Sequence, residues 1–376
     1  MRVCGIVCEY NPFHNGHLYQ IEKLKRDCEF DAIVGIMSGN WVQRGDAAIF
    51  DKRVRAKAAA LNGMDLVIEL PAIHAMQSAE IFAENAVYIL NSLEIVDSIA
   101  FGTETDNIGL LKDIAYLLAN EPDSFKNIIR AETGSGIPYF MARADAIGRI
   151  LGQNHKAAAG KPNNILAIEY IKALIKLNSS IEPFAIKRIG AGHNENTVTD
   201  KTASASLIRE MILSGNDEYL DLVPENCRCL YKNAKIHRLS NLDRAIAAHF
   251  IKCSTEEIKK APDVSEGLEN KIKKSAEQSV SFNELCDKIK SKRYTHSRIR
   301  RIVLNSYLNI TKSDSKTKPQ YVKVLNFTQV GQNLIKSAKT QTSIPIGTNF
   351  NSVKQNTFTA EIWKRELVFD RIYELL

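Results

Sequence analysis

The sequence predicts a doubly wound α/β domain over residues 1–215, followed by a basic, mainly helical part over 216–376. Three observations predict it. Strand-length runs rich in Val and Ile alternate with helix-period segments through the first hundred residues, the pattern of a parallel sheet covered on both faces. Ser214-Gly215-Asn216-Asp217 then breaks the pattern. The charge divides at the same place: residues 1–216 carry 22 Lys+Arg against 25 Asp+Glu, a net of −3, while 217–376 carry 28 against 18, a net of +10.

In order, the strand runs fall at 3–8, 32–37, 65–70 and 95–101, with helical segments between them at 17–28, 51–62 and 78–92. Helical periodicity continues near 107–119, 121–133, 139–150 and 164–177, then a strand at 184–189 and a helix at 204–214. Beyond the break the helices carry basic faces, at 239–252, 266–280 and 283–309. A strand-like run at 321–327, a Thr/Ser/Asn/Gly-rich stretch at 340–357 and a last helix at 358–375 complete the chain.

At 376 residues the chain is long enough for two cores, and 44% hydrophobic with 25% charged residues is a globular composition. No stretch approaches the roughly 20 apolar residues of a membrane helix. The start lacks the apolar region and cleavage site of a signal peptide, so a cytoplasmic protein is expected. Seven Cys, at 4, 8, 28, 227, 229, 253 and 286, form no C-x-x-C pair and read as reduced thiols rather than a disulfide or zinc framework. The basic second part calls for a polyanion partner.

The most informative stretch is Glu9-Tyr10-Asn11-Pro12-Phe13-His14-Asn15-Gly16-His17. It leaves the first strand and enters the first helix, so it lies at the carboxyl edge of the sheet, where open α/β folds bind ligands. The helix start offers free N–H groups and a positive dipole end to an anion. His14 and His17, three residues apart, share one side of the turn and can each donate to a phosphate oxygen as charge builds. Against this stands a plainer role, two imidazoles that only cap the helix.

The residues F-H-N-G-H resemble the H-x-G-H signature of the nucleotidyltransferase superfamily, in which a nucleophile attacks a nucleotide's α-phosphorus and pyrophosphate leaves. A second superfamily element, I-S-S-T-x-I-R, is approximated by Ala203-Ser204-Ala205-Ser206-Leu207-Ile208-Arg209. There Ser206 is expected to cap a helix and Arg209, one turn in, to reach the β- or γ-phosphate. Gln43-Arg44-Gly45-Asp46 and the run Asp51-Lys52-Arg53-x-Arg55-x-Lys57 offer cations either to a triphosphate or to solvent. Gly102 in Phe101-Gly102-Thr103-Glu104 would let a nucleotide pack on backbone. Of Asn163 and Asn164, one is expected to cap a helix and the other to read the nucleotide; Lys187-Arg188 ends a strand on the same rim.

Six stretches, the first of them already described, carry a closer likeness. They are E-Y-N-P-F-H-N-G-H-L, M-S-G-N-W-V-Q-R-G-D (37–46), D-L-V-I-E-L-P (65–71), F-G-T-E (101–104), K-P-N-N-I-L-A-I-E-Y (161–170) and R-Y-T-H-S-R-I-R-R (293–301). Together they resemble the bacterial tRNA(Met) cytidine acetate ligases from the first residue to about 330. The resemblance implies ATP and acetate as substrates, acetyl-adenylate as intermediate and the wobble cytidine of elongator tRNA(Met) as acceptor, giving N4-acetylcytidine. It implies ATP contacts from Val7, Cys8, Glu9, Tyr10, Asn11, Pro12, Phe13, His14, Asn15, Gly16, His17, Leu18, Tyr19 and Gln20, and from Gly102, Asn163 and Arg188, with Ser206 and Arg209 beside them. His14 and His17 are the catalytic pair. Such chemistry needs charge stabilisation and alignment, not a side-chain nucleophile. No compact carboxylate cluster announces a metal site; magnesium would arrive with ATP.

Residues 288–318 hold ten Lys or Arg and one acid, Asp314. Lys292, Arg293, Tyr294, Arg298, Arg300 and Arg301 form the expected tRNA face: cations for phosphates, Tyr294 for a stacked base, and Thr295 or Ser297 as cap of the helix that carries the arginines. Two other readings stay open, a small-molecule adenylyltransferase and an RNA-binding protein whose nucleotide site is only a sensor. The sequence sets neither an oligomeric state nor a role for 340–357.

Overall fold

The computed structural model describes residues 1–187, 201–265, 267–353 and 357–376. Arg188, expected at a strand end, lies outside them. Five strands pair in parallel: β1 (Val3–Cys8), β2 (Ala32–Ser38), β5 (Leu66–Leu70), β6 (Ser98–Thr103) and β7 (Glu182–Lys187). A small hairpin, β3 (Trp41–Val42) with β4 (Asp46–Ala47), stands apart. Two late strands, β8 (Val322–Phe327) and β9 (Ile346–Gly347), extend the sheet beyond β5, with β8 antiparallel to it; the order is β7-β6-β1-β2-β5-β8-β9. The doubly wound sheet expected from the alternating pattern is present, but it draws strands from both sides of residue 216.

Helices clothe both faces. Between strands run α1 (Asn15–Arg26), α2 (Lys52–Leu61), α3 (Ala72–Ala75), α4 (Ala79–Ser92), α5 (Ile108–Asn120), α6 (Asp123–Gly134), α7 (Tyr139–Leu151), α8 (Gln153–Ala159) and α9 (Pro162–Lys176). After β7 come α10 (Ala205–Ser214) and α11 (Glu225–Lys232), which pack in the same core as β1, α1 and α2. The opposite face is filled from α4, α5 and α9, joined by Val322, Val324 and Leu334 from the late chain. A third core joins α12 (Asp243–Lys252), α13 (Thr255–Lys259), α14 (Leu268–Ala276), α15 (Phe282–Ile289) and α16 (His296–Tyr307) to the hairpin residue Trp41 and to Ala72, Ile73 and Met76. Then follow α17 (Gln329–Gln341), α18 (Phe350–Val353) and α19 (Thr357–Glu374). Among the described residues no helix is long and apolar enough to cross a membrane.

Several boundaries differ from expectation for identifiable reasons. The strand expected at 95–101 begins at Ser98 because Asp97 is spent on the connection, its carboxylate accepting from the Val3 amide at 2.7 Å. The single helix expected at 283–309 is two, separated by a turn bridging Ser291 and Tyr294 before Thr295 caps α16. No Gly or Pro marks that break. The stretch 340–357 contributes β9 and α18 rather than only loop.

The last helix locks onto the carboxyl edge of the sheet. Trp41 Nε1 donates to the Phe369 carbonyl at 3.2 Å, and the Tyr373 hydroxyl to the Ala48 carbonyl at 2.8 Å. Beneath them Lys52 bridges Glu69 at 2.5 Å and Asp370 at 2.6 Å, and Lys323 pairs with Glu69 at 2.7 Å. The two lysines hold the buried Glu69 carboxyl down at about 2. Among the described residues Glu366 has no such partner. Its oxygens accept from the amides of Ala72 and Ile73, and burial together with the Glu69 charge pushes it up to about 7.

Candidate nucleotide site

The loop from β1 to α1 is fixed at nearly every residue. Tyr10 takes a left-handed conformation at φ 46, strained for a residue with a side chain, and the Asn11–Pro12 peptide is cis. What holds the loop is a ring of hydrogen bonds from distant segments. The Glu9 carbonyl accepts from Arg55 Nη1 at 2.5 Å, and the Glu9 carboxylate from the Gln43 amide at 2.7 Å. The Asn11 side chain accepts from the Ile49 amide at 2.8 Å; its carbonyl accepts from Arg209 Nη1 at 2.8 Å. The Asn15 amide donates to the Leu222 carbonyl at 3.0 Å, and its side chain to the Lys201 carbonyl at 2.9 Å.

Within that frame the two histidines form a capping box. His14 is the N-cap of α1, and its Nδ1 accepts from the Gly16 amide at 3.1 Å. The His14 amide donates in turn to His17 Nδ1 at 3.3 Å. A backbone N–H can only donate, so both Nδ1 atoms present lone pairs, and a neutral ring then carries its proton on Nε2. The rings stack with centroids 3.7 Å apart, His14 buried and His17 half-buried. Capping and anion binding are therefore not rivals here: the first engages Nδ1, and the second would draw on the other ring nitrogen, Nε2. The first four α1 amides are already engaged, Asn15 on Leu222, Gly16 on His14 Nδ1, and His17 and Leu18 on the His14 carbonyl, so the helix offers an anion its dipole end.

Other expected residues are placed as follows. Ser204, not Ser206, caps α10, accepting from the Leu207 amide at 3.2 Å. Ser206 sits in the first turn and accepts from Arg209 Nη2 at 3.1 Å. Arg209 thus braces the loop at Asn11 with one of its five N–H donors and Ser206 with another. Neither Asn163 nor Asn164 caps α9, whose N-cap is Lys161 followed by Pro162. Asn163 donates to the Glu104 carboxylate at 2.6 Å and Asn164 accepts from the Glu104 amide at 3.0 Å, so both secure the end of β6 just beyond Gly102. Gly102, on β6 beside β1, pairs with Ile186 of β7.

The run 51–57 splits. Asp51 caps α2, Lys52 enters the buried ion cluster, and Arg53 and Lys57 face solvent. Arg55 fits neither expected role: it is 0% exposed, and its guanidinium donates to the carbonyls of Glu9, Ser38, Gly39 and Phe50. It ties the ends of β1 and β2 together, directly behind the loop. Its period in the sequence, three after Lys52 on a face otherwise built of Ala, was the available signal.

The expected tRNA face also divides. Lys292 and Arg293 are exposed on the turn before α16, and Lys271 reaches the same turn, donating to the Lys290 carbonyl at 3.2 Å. Arg298 stacks over the Tyr294 ring at 4.8 Å and donates to the Asp263 carbonyl, so one face of Tyr294 is already covered. Arg300 and Arg301 do not lie on an open surface. Arg300 pairs with Asp46 at 2.9 Å, donates to the Gly45 carbonyl and lies over Phe282. Arg301 is 7% exposed and faces Asp263 at 3.6 Å. The cause is the close approach of the β3–β4 turn: Gly45, at φ 70, leaves no room for a Cβ against the Arg300–Arg301 backbone. Among the described residues no group of three or more His, Cys, Asp or Glu is placed to hold a metal ion.

Comparison with known proteins identifies the family. The model of the HIGH Nucleotidyl Transferase family matches residues 1–376. A tRNA(Met) cytidine acetate ligase of Clostridium perfringens (strain ATCC 13124) is 38% identical, with 95% of this chain and 92% of that protein covered. One from Thermoanaerobacter sp. (strain X514) is also 38% identical, with 100% and 95% covered. The crystal structure of Thermotoga maritima TmcAL bound with alpha-thio ATP matches with a TM-score of 0.91 at 30% identity, covering 99% of this chain and 94% of that one. The apo crystal form of the same protein gives 0.94. Matched over its full length by the family model and by relatives 38% identical, this chain belongs to the tRNA(Met) cytidine acetate ligase family of HIGH nucleotidyl transferases.

Proposed function

We infer that this chain is an ATP-dependent ligase that activates acetate as acetyl-adenylate and passes the acetyl group to the wobble cytidine of elongator tRNA(Met), forming N4-acetylcytidine. The observation that carries the reading is the imidazole pair at the tip of α1, both rings held by Nδ1. The names of the relatives and the nucleotide analogue in the Thermotoga neighbour support it.

Acetate oxygen attacks the α-phosphorus; the new P–O bond forms as the bond to the bridging oxygen breaks and pyrophosphate leaves. His14 and His17 donate from Nε2 to the developing charge, helped by the dipole of α1 and by the donors Arg209 does not use on the loop. The cytidine amine then attacks the carbonyl carbon of the mixed anhydride, loses a proton and releases AMP. The base must leave its stack to reach that carbon. The 7–20 segment, Gly102, Asn163, Ser206 and Arg209 surround ATP, with Asn163 acting through the end of β6. Residues 1–215 carry the chemistry and 216–376 hold tRNA, with α11 also bracing the loop. Lys271, Lys290, Lys292 and Arg293 meet phosphates, while Arg300 and Arg301 serve the fold. Magnesium, where used, comes with ATP.

The test is incubation with ATP and labelled acetate, with and without total bacterial tRNA, following pyrophosphate, AMP and label on RNA. ATP-dependent label in tRNA is expected. Adenylylation of a phosphorylated small molecule, or ATP binding without pyrophosphate release, would replace this reading with a small-molecule transferase or a sensor.

A further inference from the structure

We propose that Tyr231 is a positioning residue for His17, acting through the Phe13–His14 peptide; this rests on the reading of the 9–17 loop as the nucleotide site. Tyr231 lies on α11, in the part of the chain expected to serve RNA. Its hydroxyl donates to the Phe13 carbonyl at 3.1 Å. The His14 amide, which belongs to the same peptide unit, donates to His17 Nδ1 at 3.3 Å. One amide is therefore held at both ends, its oxygen by Tyr231 and its N–H by the imidazole.

Two consequences follow from elementary physics. A hydrogen bond accepted at the carbonyl polarises the amide and strengthens the bond its N–H donates. It also fixes the plane of the peptide, and with it the direction from which His17 Nδ1 is engaged. Tyr231 thus keeps His17 in the tautomer that carries its proton on Nε2. The phenol is well set for a constant donor. It is fully buried and stacks on Phe50 with centroids 4.7 Å apart and planes 9° off parallel, and burial keeps it protonated. Phe13 is buried as well, so without the hydroxyl its carbonyl loses this donor away from solvent.

Tyr231→Phe removes the hydroxyl and keeps the ring stack. Acetate-dependent pyrophosphate release is measured for kcat and for KM of ATP. Imidazole ¹⁵N shifts are recorded on ¹⁵N-histidine-labelled protein, with the His17 signals assigned by their loss in His17→Ala. The expected result is a kcat lower by about five- to tenfold, the scale of one hydrogen bond, with KM for ATP within about twofold and the His17 shifts moved toward a mixture of tautomers. A kcat within twofold of the wild type, an unmoved His17 tautomer, or kcat and KM changing together with a lowered melting temperature overturns the proposal. If the wild type itself releases no pyrophosphate with acetate, the functional reading fails instead, and the ¹⁵N shifts still decide the role of Tyr231.

Discussion

The loop at 9–17 and the basic segment at 288–301 were the two stretches most marked in the sequence, and the structure treats them in opposite ways. In the loop, the two histidines of the motif stack together at the tip of α1, and the rest of the protein converges on its backbone. In the basic segment, the charges divide between an exposed turn and an interior seam. The lesson is that spacing and charge density carry different information. Two imidazoles three residues apart before a helix can hardly avoid sharing its tip. A run of arginines has no such geometric constraint, because a guanidinium can satisfy its donors on carbonyls and carboxylates inside the fold as readily as on phosphate.

The contrast can be broken at its strongest point first. His17→Ala should lower turnover by about 10²–10³-fold, the scale of a lost oxyanion-type donor, with tRNA binding unchanged in a filter assay; a mutant with wild-type kcat would remove the loop from catalysis. Arg301→Ala should cost about 2–4 kcal/mol of stability in urea unfolding, since it empties a buried site and strands Asp263. If it instead folds normally and loses tRNA, the interior assignment is wrong.

A third effect concerns the seam between the last helix and the sheet. Glu366 stands at about 7, above the 4.5 of an unperturbed Glu, so the folded state binds its proton more tightly than the unfolded one. Its contribution is then fully present below about pH 4.5 and is lost as pH rises through about 7, by at most about 3 kcal/mol. Glu366→Gln should flatten this part of the stability profile between pH 5 and 7.5; an unchanged slope would assign the titration elsewhere. The smallest effect sharpens the comparison: Lys292→Ala with Arg293→Ala should leave the melting temperature in place while reducing the salt slope of tRNA binding by about one for each phosphate no longer neutralised.

The legible part of the molecule was the part governed by periodicity. Parallel strands buried on both faces read as the apolar runs at 3–8, 32–37 and 65–70, and the place of the turn between the first strand and helix, at the carboxyl edge of the sheet, was legible because topology fixes where such turns lie. Long-range pairing was not legible. Nothing in 321–327 says that it joins β5, more than 250 positions away in the chain, and nothing around Arg55 says that four carbonyls will meet there. Caps were ambiguous wherever two hydroxyls competed. Ser204 and Ser206 are both good N-caps by type, and the choice fell to packing of Ile208 and Ile212 in the core. Nothing around Gly45 says that the backbone of a distant helix will pack against it.

The late arrival of β8 has a bearing on synthesis. Until residue 327 has left the ribosome, β5 is an open edge: five buried residues, Leu66 to Leu70, with one row of backbone groups lacking a neighbour and Glu69 lacking one of its two lysines. Such an edge invites pairing with another nascent chain. Translation of the segment between α11 and β8 is thus an interval of exposure, one that a chaperone would have reason to cover and that pausing of the ribosome would prolong.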